Sequence, residues 1–554
     1  MQRAFVCLLS VFRFTPASCI LSRCRLPRSK PVFPAFDSSM LQDFQTMKYK
    51  KSLLVTALVA GILIVIAVAA SLAISPVVER KAEQLLNRYA ARARGIEHFT
   101  FSRVEFSALS RSLTLHDVLI VYRSPKGLRK SIDRLEISLP IRAAACAVPA
   151  LRPYAMPEKG SMDICNAITA DGVSFSMPGL LAGSLEHAVI SGIAADAGHV
   201  RALLNGRRPD PIDMLERTQL DGLDALKLRA TVQTGNGSAA CNLEAFRLRG
   251  LHDLGIDEMR LERLKASTNK ESAELALFGM DGFRAPDAAT LRLLLSVRLT
   301  GQKTEQEIAG SIEHILPMIQ QWLTATVPPV RVLAVEKAAF RGSRLQDVMS
   351  LDLIRLDWLS NRPREMKTAV RDLVLPVQLI ESNGLHLPGL KELRFSGESD
   401  TRDENGRIRE TGYLSLAQFG QMRYNASYAV PGGVFNFSLM QLLSMNIHDA
   451  AFTFVDQGAL AYIALNQHDP DMAGPYFNQA LDYSFPGSEN AALRAALKLF
   501  ADRPGTLDIV KTTNEATPLL RCFDTATLGR LWRVTATPGK ESLYEQMRRL
   551  APAQ

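Results

Sequence analysis

Apolar residues follow two different periods along this chain, and one stretch follows none. Between Lys51 and Glu79 there is no charged residue, and Leu53 to Ile74 is Leu, Val, Ile and Ala almost throughout. A bilayer core of roughly 30 Å takes about 20 apolar residues in a helix, so the stretch predicts a membrane span. A secretory hydrophobic region is shorter, about 7 to 15 residues. An uncleaved signal anchor over 52–75 is therefore the expectation. A signal cleaved at the small-x-small site Ala67-Val68-Ala69 is the first alternative. A buried core helix is the second, although so long a helix without a polar face is unusual in a soluble domain.

Beyond the anchor the period is first helical. Val78, Leu85, Leu86, Tyr89 and Ala93 share a helical face and Gly95 is a natural stop, which predicts an amphipathic stalk over 76–95. Then the period falls to two. Phe99 and Phe101, Val104 and Phe106, Leu113 and Leu115, and Val118, Ile120 and Tyr122 alternate with polar residues, and IDRLEISL over 132–139 continues the pattern. These are half-buried strands opening a β-meander. Further strands are expected in EMRLERL (258–264), AELALF (273–278), LRLLLSVRL (291–299), LDLIRLDWL (351–359) and LVLPVQLI (373–380), with Asn405-Gly406 and Pro431-Gly432-Gly433 as turns. A phrase with a central glycine recurs loosely in ADGVSFSMP, LRGLHDLGI, FGMDGFRAP and FRGSRLQDV, without a fixed period.

Helices interrupt this pattern. From residue 307, Ile308, Ile312, Ile315 and Ile319 share a face with Pro317 as a kink; a helix packed on a sheet is the expectation, a lipid- or partner-facing one the alternative. Ser488 is placed to cap a helix whose Leu493, Leu497 and Phe500 face one way, and LYEQMRRL ends the chain as another helix. The predicted fold class is α+β: an N-terminal transmembrane helix, then a β-rich antiparallel extracytoplasmic body with interspersed helices and a more helical C-terminal region. The expected organisation is a leader over 1–51, the anchor over 52–75, the stalk over 76–95, a β-rich domain over 96–300, a helix plus antiparallel β domain over 301–440, and an α-rich region over 441–554.

Charge refines the picture at one end only. Residues 1–51 carry nine Lys or Arg against Asp37 and Asp43, a net of +7 of the chain's +9, so residues 52–554 hold only +2. The basic flank at Lys48, Lys50 and Lys51 predicts a cytoplasmic N-terminus. The nearly neutral remainder, without a basic stripe, gives no reason to expect nucleic acid. Met47-Lys48-Tyr49-Lys50-Lys51 reads as a complete bacterial start, so 1–46 is expected to be an over-extended leader that is not translated.

The chemistry is sparse. Cys146, Cys165, Cys241 and Cys522 have no CxxC spacing; Cys146 with Cys165 is the most plausible disulfide, and four separate thiols are the alternative. There is no GxSxG, Walker, HExxH or GxGxxG motif. The pairs His116-Asp117, His252-Asp253, His448-Asp449 and His468-Asp469 suit surface positions on strands better than a dyad. Asp400, Asp403 and Asn405-Gly406 hint at a calcium loop, but Thr401 and Gly412 stand where ligands belong, so a hairpin turn is expected. No catalytic, cofactor or metal residue is predicted.

The Lys-flanked anchor, the stalk, RVEFSALSRSLTLHDVLIVY and IDRLEISLPIRAA together resemble the opening of AsmA-like and YdgA-like signal-anchored periplasmic proteins, over residues 48 to about 145. The resemblance implies a single-pass protein of the bacterial inner membrane with a periplasmic β-rich body, in families associated with lipid transport and outer-membrane homeostasis. The helical C-terminal third departs from a simple elongated β-groove, and no family site residue maps onto this chain. The expected function is a non-catalytic envelope scaffold or lipid-handling protein, whose partners are membrane lipid, with a bound acyl chain, and envelope proteins. In that reading Leu113, Leu115, Val118 and Ile120 line a groove; ordinary sheet core is the alternative for them. A membrane-anchored enzyme with an unrecognised site, or a structural subunit of an envelope complex, are the other functional readings.

Overall fold

The computed structural model describes most of residues 96–140, 160–204, 210–292, 318–430 and 445–551, with parts of 76–87. The leader, the apolar stretch 52–75, Cys146 and His468-Asp469 lie outside the described residues. No described helix is long and apolar enough to cross a membrane. Within 76–87 the described residues are helical.

The described chain is a β-rich antiparallel structure with helices, and it divides into two compact units, 1–238 with 246–253 and 239–245 with 254–554. In the first unit β1 (Ile96–Thr100) and β2 (Arg103–Ser107) both pair with β3 (Ser112–Tyr122). The meander then runs through β4 (Arg129–Ser138), β5 (Ser161–Met177), β6 (Leu181–Asp196) and β7 (Thr218–Thr234), each paired with its predecessor. Helices α1 (Ala197–Leu204) and α2 (Pro211–Glu216) join β6 to β7; Asp210 caps α2 by accepting from the Ile212 and Asp213 N–H groups, with Pro211 at its first position. The open edge at β2 is tied down, because the Phe106 N–H donates to Glu79 at 3.0 Å. Strand β8 (Gly237–His252) follows.

In the second unit the meander resumes with β9 (Gly255–Thr268), β10 (Ser272–Arg284), β11 (Val332–Arg341), β12 (Met349–Asn361), β13 (Arg364–Pro376), β14 (Glu392–Glu404), β15 (Arg407–Leu416), β16 (Gly420–Ala429), β17 (Asn446–Asp456) and β18 (Thr506–Lys511). Each pairs antiparallel with the next. The short β19 (Thr517–Pro518) adds to β17, and β20 (Trp532–Thr537) closes on β18. Around the C-terminal strands lie α3 (Gln378–Glu381), α4 (Ala459–Leu465), α5 (Pro470–Ser484), α6 (Ala491–Asp502), α7 (Leu519–Cys522), α8 (Leu528–Leu531) and α9 (Leu543–Leu550).

Three local expectations are corrected. LVLPVQLI, expected as strand over 373–380, is strand only to Pro376 and turns helical at Gln378–Glu381. In LRLLLSVRL, expected as strand, Leu291 and Arg292 belong to a helix described over 288–292, and the rest lies outside the described residues. Ala289-Thr290 turn into this helix because Asp287 accepts from the Thr290 N–H and hydroxyl at its start. Ser488 does not cap α6. It opens a 3-10 turn, Ser488–Asn490, and the buried Asn490 donates instead to the Pro486 and Thr525 carbonyls. The remaining C-terminal cap fits its sequence: Ser542 and Glu545 form a reciprocal capping box at α9.

Candidate functional site

Alternation sorts every strand of the second unit into two faces, and cross-strand pairing lines up what each face carries. One row passes through Leu261, Phe278, Val335, Ile354, Val370, Gly397, Leu414, Met422, Phe454, Leu507 and Ala536, each paired with the next. Eleven strands at about 4.8 Å spacing make this row roughly 48 Å long. Not one member is polar.

The row is covered at one end. Phe500 of α6 meets Phe454 edge to face at 6.1 Å. On the same face, Cys522 of α7, Leu528 and Leu531 of α8, and Trp532 pack with Ala426, Ala450, Phe452 and Ile509. Tyr462 of α4 and Leu550 of α9 pack against Leu393 and Leu416. Among the described residues no such layer encloses the members of the row from β9 to β15. Leu261, Phe278, Val335 and Val370 are half-buried, while Ile354 and Leu414 remain 37% and 38% exposed. That open length is roughly 30 Å by strand spacing.

A polar cluster interrupts the same face. Trp358, Met366, Thr401, Glu410, Ala426 and Ala450 form a parallel row. Within it the Glu410 carboxylate accepts from Ser399 at 2.9 Å, Tyr424 at 3.1 Å and Tyr428 at 3.0 Å. Burial, with the nearby Glu410 charge, pushes the Tyr428 phenol far above its ordinary range, and burial also raises Tyr424. Burial lowers the neighbouring Arg364 guanidinium. Three hydroxyls thus supply the hydrogen bonds that one half-buried carboxylate needs in an apolar setting.

The opposite face is charged and wet. A shallow depression of about 490 Å³ is lined by Arg355, Asp357, Lys367, Arg371, Glu398 and Asp400. Its charges pair with one another: Arg355 with Asp357 at 2.8 Å, Arg371 with Glu398 at 3.0 Å, and Lys367 with Asp400 at 3.7 Å. In the first unit a second depression of about 340 Å³ holds Asp133, Glu186, Lys227 and Arg229. Nearby, the His187 Nδ1 lies 2.6 Å from Asp171 across adjacent strands, a pairing invisible to local sequence motifs.

The residues singled out from sequence fall as follows. Leu115 and Val118 in β3 are 1% and 0% exposed, so they are sheet core. Asp117 bends at positive φ and accepts from Ser102, and His252 lies 3.8 Å from the exposed Asp253. Asp403 accepts from the Gly406 N–H in the β14–β15 hairpin, and Asp400 pairs with Arg402, so these residues build a turn. Among the described residues no three His, Cys, Asp or Glu side chains gather as a metal site. Cys165 is buried, with its thiol donating to the Ser138 and Ala167 carbonyls; its expected partner Cys146 lies outside the described residues. The apolar row through β12–β15 and the Glu410 cluster were not read from sequence. Their signal was the alternation of these strands taken together, which becomes visible only once the register is known.

Comparison with protein-family models, with curated proteins and with solved structures finds no match to this chain. Its class rests on its own architecture, a β-rich antiparallel protein with helices packed on one face of the second unit's sheet.

Proposed function

We propose that the chain is a membrane-anchored envelope protein that handles lipid, holding acyl chains against the open apolar row of the second unit. The anchor and its orientation rest on the charge-free stretch 52–75 and its basic flank. The observation that carries lipid handling is the row from Leu261 to Leu414, left half-open over seven strands. A monomer rarely leaves contiguous apolar surface open without a partner for it. Water is excluded from such a strip by a flexible apolar ligand at about 25 cal/mol per Å² of surface covered. The charged depression on the opposite face of that sheet holds mutually paired groups, which gives it less to offer a ligand.

The test is native mass spectrometry with lipid extraction on the full chain, solubilised in a detergent that retains bound lipid. Stoichiometric phospholipid that falls several-fold in Ile354→Asp and Leu414→Asp, with the fold intact by circular dichroism, supports the proposal. Lipid retained equally by both variants removes it.

A further inference from the structure

Besides Gly192, Gly250 and Gly282 in β6, β8 and β10, six residues in the interior of alternate strands have the left-handed backbone that L side chains avoid. They are Asp117 in β3, Gly172 in β5 and Lys227 in β7, and Arg263 in β9, Lys337 in β11 and Asp372 in β13, with φ between 45° and 61°. Five of the six are not glycine, and an L residue adopts this conformation only against a steric penalty. Their registers coincide. In the first unit the pairing passes from His116↔Arg134 to Val118↔Ile132, from Arg134↔Asp171 to Ile132↔Val173, and from Asp171↔His187 to Val173↔Leu185. It therefore skips positions 117, 133, 172 and 186, and then 227, on one line across five strands. In the second unit positions 263, 276, 337, 352 and 372 are skipped in the same way.

What flanks this line is the informative part. On one side stand Leu115, Leu135, Ala170, Ala188 and Ala225, and on the other Val118, Ile132, Val173, Leu185 and Leu228. In the second unit Leu264, Leu275, Ala338 and Leu351 stand opposite Leu261, Phe278, Val335 and Ile354. In every strand the two apolar residues are three positions apart, where regular alternation would send them to opposite faces. Yet Leu115 and Val118 are both buried, as are Ala225 and Leu228.

We infer that this line is a crease whose left-handed residues reverse the phase of alternation, so that the two halves of each strand present one shared apolar face. Without it, half of each strand would turn its apolar residues to the charged side. Twist and curvature in sheets are normally introduced by such backbone irregularities. Here the irregularity repeats on every second strand, because one left-handed residue serves the strand on either side. The five left-handed residues other than Gly172 are exposed and polar, as in Arg263 and Lys337, and so occupy the strained position without packing against the core.

The test uses the purified full chain and reads the folding equilibrium constant by urea titration. Lys337→Gly keeps the left-handed backbone at no steric cost and is expected to leave the constant unchanged or to raise it by up to about tenfold. Lys337→Val, with a β-branched side chain that disfavours positive φ, is expected to lower it by at least about tenfold. Arg423→Val, at an exposed regular strand position, is the control and is expected to be near neutral. A destabilising Lys337→Gly, or a Lys337→Val as mild as the control, overturns the inference. Independently, Val335→Cys and Ala338→Cys are expected to react at similar rates with a charged thiol reagent, both more slowly than Lys337→Cys, over the parent chain's own thiols. A fast Ala338→Cys beside a slow Val335→Cys means ordinary alternation, and also overturns it.

Discussion

At the scale of single residues, the second unit's apolar face is governed by what fills the gaps left by glycine. A Cβ on Gly412 would collide with the Glu398 carbonyl and lie 2.8 Å from the Tyr424 hydroxyl, so the Tyr424 ring lies across the glycine on its way to Glu410. Gly412→Ala must therefore push back a strand and release one of the three hydroxyls. It is expected to destabilise by about 1–3 kcal/mol, read as a lower urea midpoint. His448 supplies the pH dependence. Burial above all, then Arg407 and Lys511, hold its imidazole below the usual 6.5, against a smaller opposing pull from Asp449. The fold thus favours the neutral ring, while the unfolded chain takes up the proton first as pH falls. Stability present above pH 6.5 is expected to be lost as pH drops through the folded-state value, and His448→Gln is expected to flatten that slope between pH 7.5 and 5.

At the scale of elements, the helix α9 offers the cleanest local test. Its capping box satisfies two N-terminal N–H groups, and its Leu543 and Met547 are buried beside Ala461 and Ala464 of α4. Ser542→Ala is expected to cost about 1 kcal/mol, measured as a lowered thermal midpoint. This helix was legible from LYEQMRRL alone, and so were the strands in EMRLERL, AELALF and LDLIRLDWL, which lie inside β9, β10 and β12. What the reading missed in those same segments is the step of three: Leu261 to Leu264, Leu275 to Phe278, Leu351 to Ile354. Period two tolerates one such slip without announcing it, and only the aligned slips of neighbouring strands give it meaning. The loosely recurring glycine phrase was a trace of the same backbone, since Gly172, Gly250 and Gly282 within it all have positive φ. LRLLLSVRL misled because a short apolar run fits a strand and a buried helix equally well.

At the scale of the whole chain, the antiparallel β-rich body follows from alternation between turn signals, whereas the faces, the open row and the Glu410 cluster depend on register, which no single strand encodes. In the first unit each strand from β3 to β7 pairs with the strand made just before it, and in the second unit the same holds from β10 to β18. Long-range closure is needed for neither ladder, so the entropic cost of joining distant segments is small. The order of synthesis is thus also an order in which the ladder can grow, each new strand finding a finished template at its edge. A chain emerging gradually from a ribosome or a translocation pore can zip up as it arrives, each strand leaving only its own outer edge for the next one to claim.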